Sequence, residues 1–119
     1  MAKILIVDDS AFSRKMLRGI LVAGGHEIIG EACDGAEASE KYKELLPDIT
    51  TMDITMPNVD GITVLKNIKE DYPEAKVIMI TALGSGEKII EALNTGAANY
   101  ITKPFDSGKI IDAIEAALE

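Results

Sequence analysis

Five short apolar runs rich in β-branched residues recur along the 119 residues, each followed by a longer segment of helical period. Ile4-Leu5-Ile6-Val7 is continuous rather than alternating, the pattern of a strand buried on both faces. Val77-Ile78-Met79-Ile80 repeats it, and Asp48-Ile49-Thr50-Thr51-Met52 is a weaker version. Glu27-Ile28-Ile29-Gly30-Glu31 and Asn99-Tyr100-Ile101-Thr102 complete the set. Alternation of this kind with short connections predicts one α/β domain, a parallel sheet covered by helices on both faces.

The helical segments carry their own boundaries. Ser10 is placed to cap a first helix whose Phe12, Met16, Leu17, Ile20 and Leu21 share a face, and Gly24-Gly25 stops it. A second helix follows Asp34-Gly35 and ends before Pro47. A third follows Gly61, turns Val64, Leu65 and Ile68 inward, and ends before Pro73. The fourth directs Ile90 and Leu93 inward and stops at a left-handed Gly96; Ile89, beside them, is expected to be partly exposed. The last aligns Ile110, Ile111, Ile114 and Leu118. Met16, Met52, Met56 and Met79 read as core fillers, and Cys33 as a small apolar residue at the corner after strand 2. No linker, low-complexity tract or internal repeat interrupts the rhythm.

Composition narrows the partners. Twelve basic against twenty acidic residues give a formal charge of −8, which disfavours nucleic-acid backbones and anionic lipid surfaces. A single cysteine offers neither an internal disulfide nor a zinc cluster. No apolar run approaches the ~20 residues of a membrane span, and Met1-Ala2-Lys3 has no signal-peptide pattern. A soluble, cytoplasmic, monomeric domain is expected.

In open parallel sheets, sites form outside the carboxyl ends of the strands. Here those ends carry Asp8-Asp9 on strand 1, Asp53 on strand 3, Thr81 on strand 4 and Lys103 on strand 5. Converging carboxylates repel, and a bound hard cation removes the conflict; oxygen donors suit Mg²⁺, with Mn²⁺ a substitute. An aspartate in such a setting can act as a nucleophile toward phosphorus, the ammonium and the metal neutralising charge on the transferred group. Asp53 is the central candidate, Asp8 and Asp9 the metal holders, and the Thr55 carbonyl a further ligand. His26 opens strand 2 on the far side from the acids and is read as non-catalytic.

Taken in order, Ile4-Leu5-Ile6-Val7-Asp8-Asp9, Asp53-Ile54-Thr55-Met56-Pro57-Asn58-Val59-Asp60-Gly61, Thr81-Ala82 and Lys103-Pro104-Phe105 resemble the blocks of response-regulator receiver domains across the whole chain. The wording is similar to stand-alone chemotaxis receivers. That resemblance implies a flavodoxin-like doubly wound (βα)₅ fold with strand order 2-1-3-4-5, spanning residues 1–119 as a single receiver with no output domain. It implies phosphorylation of Asp53 by a histidine kinase, with Asp9 as direct metal ligand, Asp8 assisting through water, and Asp53 and the Thr55 carbonyl completing the site. Thr81 and Lys103 would contact the phosphoryl group, a cis bond would precede Pro104, and Tyr100 would turn inward as Thr81 is drawn to the phosphate.

The resemblance further implies output through helix 4, strand 5 and helix 5, with Ile89 and Tyr100 on the partner surface. The partner would be a motor-switch or adaptor protein in chemotaxis, and a separate phosphatase would reset the signal. Thr55 and Leu83 flank the phosphoryl site without an amide or acid to orient water, so access would set the phosphoryl lifetime. The Gly84-Ser85-Gly86 loop lacks the lysine and spacing of a phosphate-cradling loop. The chain would catalyse only its own phosphorylation and hydrolysis.

Rival readings share the architecture. A flavin carrier needs a neutral, hydroxyl-rich loop where Asp8-Asp9 stands. A metal-dependent phosphatase with an aspartyl nucleophile normally has a second acid where Thr55 stands. A phosphorelay intermediate shares every block.

Overall fold

The computed structural model describes residues 2–56, 59–82 and 86–119. Five strands and five helices alternate: β1 (Lys3–Val7), α1 (Ala11–Ala23), β2 (Glu27–Ala32), α2 (Gly35–Leu45), β3 (Ile49–Asp53), α3 (Gly61–Asp71), β4 (Val77–Thr81), α4 (Gly86–Thr95), β5 (Asn99–Thr102) and α5 (Ser107–Leu118). All strands are parallel, in the order β2-β1-β3-β4-β5. The flavodoxin-like order implied by the resemblance is therefore present.

Alternating side chains of the same strands feed two cores, which is why the runs read as continuously apolar. Leu5, Val7, Met52, Val77 and Met79 pack with Ala38, Tyr42, Val64, Leu65, Ile68 and Ala92 from α2, α3 and α4. Ile4, Ile6, Ile49, Ile78 and Ile80 pack on the opposite face with Leu17 and Leu21 of α1 and Ile110 and Ile114 of α5. Each fully buried aliphatic side chain contributes on the order of 2 kcal/mol of transfer free energy.

Caps fix the helix starts. Ser10, Asp34, Asp60 and Asp106 each accept a hydrogen bond from the backbone N–H three residues on. Gly25 and Gly96, at φ +89° and +118°, occupy the left-handed region that the chain needs to leave α1 and α4.

Several packing expectations fail. Phe12 is 73% exposed and Met16 also faces solvent; only the Leu17–Leu21 side of α1 meets the sheet, and the Phe12–Met16 side overhangs α5. On α4, Ile90 and Leu93 point outward at 61% and 43% exposure, while Ala92 is buried and Ile89 half-buried. Ile89 keeps the partial exposure expected of it, and only Ile90 and Leu93 depart from expectation: α4 has two adjacent apolar stripes, and the one containing the small Ala92 lies against the core. Leu118 is exposed at the end of α5. Cys33 is a free, exposed thiol, because it precedes the Asp34 cap and its N–H is drawn to the Glu37 carboxylate.

Candidate functional site

The carboxyl ends of β1 and β3 are neighbours, so residues 45 positions apart in sequence meet across one strand spacing. One carboxylate oxygen from each of Asp8, Asp9 and Asp53 lies within 4.8 Å of the others. Asp8 is fully buried and Asp53 nearly so, whereas Asp9 is exposed. The outer end of Lys103, just beyond β5, reaches over them, its Nζ 3.3 Å from Asp8 Oδ2 and 3.5 Å from Asp53 Oδ2. Two negative charges at least face this one ammonium, and the balance stays unfavourable.

The electrostatics record that imbalance. Burial first, then the charge of Asp8, push the Asp53 carboxyl up to about 6, against the opposing pull of Lys103 and the Thr55 N–H. Burial lowers the proton affinity of Lys103, but the charges of Asp53 and Asp8 outweigh it and the ammonium is held more firmly than usual. Asp8 Oδ2 is buried without a geometrically sound hydrogen bond, although Lys103 stands at ion-pair distance. An orphaned buried oxygen in an all-oxygen donor set fits a hard divalent cation such as Mg²⁺.

Backbone geometry holds the acids in place. The Asp8 Oδ1 accepts from the Ser10 N–H at 2.9 Å, which ties the β1 end to the α1 cap. Asp53 Oδ1 accepts from the Thr55 N–H at 3.2 Å. Behind Asp53, the Gly61 N–H donates to the Ile54 carbonyl at 2.7 Å, and a Cβ on Gly61 would overlap the Asp53 carbonyl oxygen. Only glycine lets α3 start this close to the acidic strand end.

A response regulator receiver domain profile matches residues 4–115. The chain belongs to the receiver family. Chemotaxis protein CheY of Bacillus subtilis is 50% identical over 116 residues, covering 98% of this chain and 97% of the relative. CheY of Thermotoga maritima is 49% identical over 112 residues, covering 94% and 93%. Among solved structures, a complex of CheX and CheY with BeF₃ and Mg²⁺ from Borrelia burgdorferi aligns at TM-score 0.94 and 44% identity, covering 98% of this chain and 89% of that one. Receivers are signalling switches of two-component systems, and this one is similar in sequence to chemotaxis homologues.

Within this receiver, Asp8, Asp9, Asp53 and Lys103 come together as the sequence suggests. Thr81 ends β4 beside them, buried, its hydroxyl donating to the Ala82 carbonyl at 3.2 Å. The Lys103-Pro104 bond is cis. Tyr100 is 41% exposed and so lies outward on β5, near the exposed Ile90 and Leu93 stripe in chain order but on a separate element. Pro57, Asn58, Leu83, Gly84 and Ser85, which carry the remaining expectations about the flanking loops, lie outside the described residues. His26 is at the opposite end of the sheet, buried, its Nδ1 accepting from the Ala2 N–H at 3.1 Å.

Sequence reasoning missed one contact. Arg14 of α1 donates from Nη1 to the Asp8 carbonyl at 2.7 Å while its Nε holds Glu31 at 3.1 Å. Its only sequence signal is that α1 holds three basic residues and no acid although the chain is acidic overall.

Proposed function

We propose that this receiver is a phosphorylation-activated switch that takes a phosphoryl group from a histidine kinase onto Asp53. The observation that carries the reading is the meeting of Asp8, Asp9 and Asp53 under Lys103, with one buried carboxylate oxygen left without a hydrogen bond. Asp8, Asp9, Asp53 and the Thr55 carbonyl would hold Mg²⁺. When bound, Mg²⁺ offsets carboxylate repulsion and neutralises charge on the oxygens of the transferred group.

In this mechanism the ionised Asp53 carboxylate attacks phosphorus as the P–N bond to the donor histidine breaks. The leaving imidazole keeps the bonding pair, and Lys103 takes charge on an equatorial oxygen. Thr81 turns its hydroxyl from the Ala82 carbonyl to the phosphoryl group. That movement vacates space behind β4 and lets the exposed Tyr100 ring move inward.

Output passes through the α4, β5 and α5 face. Ile90, Leu93 and Tyr100 are exposed apolar residues on it, with the half-buried Ile89 beside Ile90 as a further contact. The identity to chemotaxis receivers along nearly their whole length supports a stand-alone switch that binds a motor-switch or adaptor protein, with a phosphatase to reset it. The structural neighbour in complex with CheX supports the same setting. Kinase, switch and target share the cytoplasm in this reading, and the switch works as a monomer.

Incubation with acetyl phosphate and Mg²⁺ should add one phosphoryl group per chain by intact mass, and none to Asp53→Asn or without metal. Labelling that persists in Asp53→Asn, or continuous turnover of free phosphate esters, would overturn the assignment.

A further inference from the structure

Arg14 touches the acidic turn from behind, away from the carboxylates. Its guanidinium spans two elements: Nε binds Glu31 Oε1 on β2 at 3.1 Å, and Nη1 donates to the Asp8 carbonyl at 2.7 Å. Glu31 is itself fixed from a second side, with Arg18 Nε 2.9 Å from its other oxygen and Lys41 donating to its carbonyl. Asp8 is thus held at both of its backbone groups, since its N–H, on the preceding peptide, donates to the Ala32 carbonyl at 3.0 Å. The Asp8 carbonyl belongs to the peptide that joins Asp8 to Asp9, so its direction decides where both carboxylates point.

A positive group is an odd neighbour for a cation site. By Coulomb's law alone, Arg14 repels a divalent ion, and removing it would tighten binding. Its side chain is only 19% exposed and is bound through geometry rather than left as a diffuse surface charge. A planar fork is suited to this work because its Nε and Nη1 hold a carboxylate and a carbonyl in one fixed plane, whereas a lysine offers a single point charge on a flexible stem.

We propose that Arg14 is a positioning residue: braced on Glu31, it fixes the Asp8–Asp9 peptide and thereby sets the affinity of the acidic cluster for a divalent cation. The inference rests on the metal-site reading above and deepens it, by naming what holds the ligands in place.

The test is a Mg²⁺ titration followed by amide NMR shifts on wild type, Arg14→Ala, Arg14→Lys, Arg18→Ala and Glu31→Gln. Arg14→Ala should weaken Mg²⁺ binding about tenfold, the scale of lost outer support at metal sites. Arg14→Lys should recover only part of this, and Glu31→Gln should weaken binding while leaving Arg14 in the chain. Arg18→Ala, which removes the same charge from the same carboxylate without touching Asp8, should leave binding within about twofold or tighten it. In the metal-free protein, hydrogen exchange at Asp9 and Ser10 should quicken in Arg14→Ala and not in Arg18→Ala.

Unchanged or tighter binding in Arg14→Ala, with unaltered exchange at Asp9 and Ser10, would overturn the positioning role. Should Arg14→Ala fail to fold, Arg14→Lys and Glu31→Gln carry the same comparison. A wild type that takes up no Mg²⁺ would instead sink the metal reading, and the affinity claim with it.

Discussion

The two ends of the sheet treat polar groups in opposite ways. At the amino end, the backbone groups near β1 close on local partners, although the buried His26 Nε2 has none: the Lys3 N–H donates to Asp48 Oδ2 and the Asp48 N–H returns to the Lys3 carbonyl, both at 2.8 Å. His26 Nδ1 accepts from the Ala2 N–H, and the Glu27 N–H donates to the Ala2 carbonyl. At the carboxyl end, three carboxylates gather and two of them share one lysine, Asp53 is driven up to about 6, and Asp8 Oδ2 lacks a hydrogen bond. One end is closed by backbone bonds; the other is held in an unfavourable charge state that a divalent cation would relieve. Stability and function are drawn from different ends of the same strands.

The contrast is most severely broken behind the acidic end. Gly61→Ala forces backbone against backbone at Asp53, so a loss of at least about 3 kcal/mol is expected in urea unfolding, with acetyl-phosphate labelling falling in parallel. Next in size is the charge conflict itself. The folded Asp53 titrates near 6 against an ordinary 3.8, so its contribution to stability is full below the unfolded value and is lost as pH rises through the folded one. Metal-free Asp53→Asn should therefore match wild type near about pH 4 and exceed it by about 2 kcal/mol near about pH 7.5, at ~1.4 kcal/mol per pKa unit less the relief from neighbours. Saturating Mg²⁺ should reverse the order, since binding at a hundred times Kd adds about 2.7 kcal/mol to wild type. Denaturation midpoints at the two pH values, with and without Mg²⁺, decide it.

A smaller effect sharpens the other side. Asp48→Ala removes an acceptor at the closed end and should cost about 1 kcal/mol, equally with and without Mg²⁺. A Mg²⁺-dependent cost there would erase the distinction between the ends. The smallest effect lies between them, mid-strand on β3. Thr51 is fully buried with an unpartnered hydroxyl, so Thr51→Val should stabilise by about 0.5–1 kcal/mol in thermal melts, at any Mg²⁺ concentration.

Much of this was legible in the sequence because the strands are buried on both faces. Continuous runs such as Ile4–Val7 locate strand ends within a residue or so, and in a parallel sheet the strand end is where the site lies. Asp8, Asp9, Asp53, Thr81 and Lys103 could be picked out for that reason, whereas the strand order needed the family resemblance. Helix facing was harder to read. Residues 89, 90, 92 and 93 are all apolar, so period alone fits two stripes equally, and the steric advantage of Ala92 against the sheet is not a property of the pattern. The same holds for α1, where one broad apolar arc serves the sheet with Leu17 and Leu21 and leaves Phe12 and Met16 to overhang. Arg14 escaped because a backbone carbonyl is the same at every position, so no residue type marks which one a guanidinium reaches.

The strand order also bears on biosynthesis. Asp8 and Asp53 leave the ribosome early, but the lysine that caps them follows the last strand, at the edge of the sheet. In the switch proposed above, a nascent chain would display Asp53 before Lys103 is there to take charge on a phosphoryl oxygen. On the proposed reading, full competence to be charged arrives only with residue 103, so a charged Asp53 reports that all five strands of the sheet have been made.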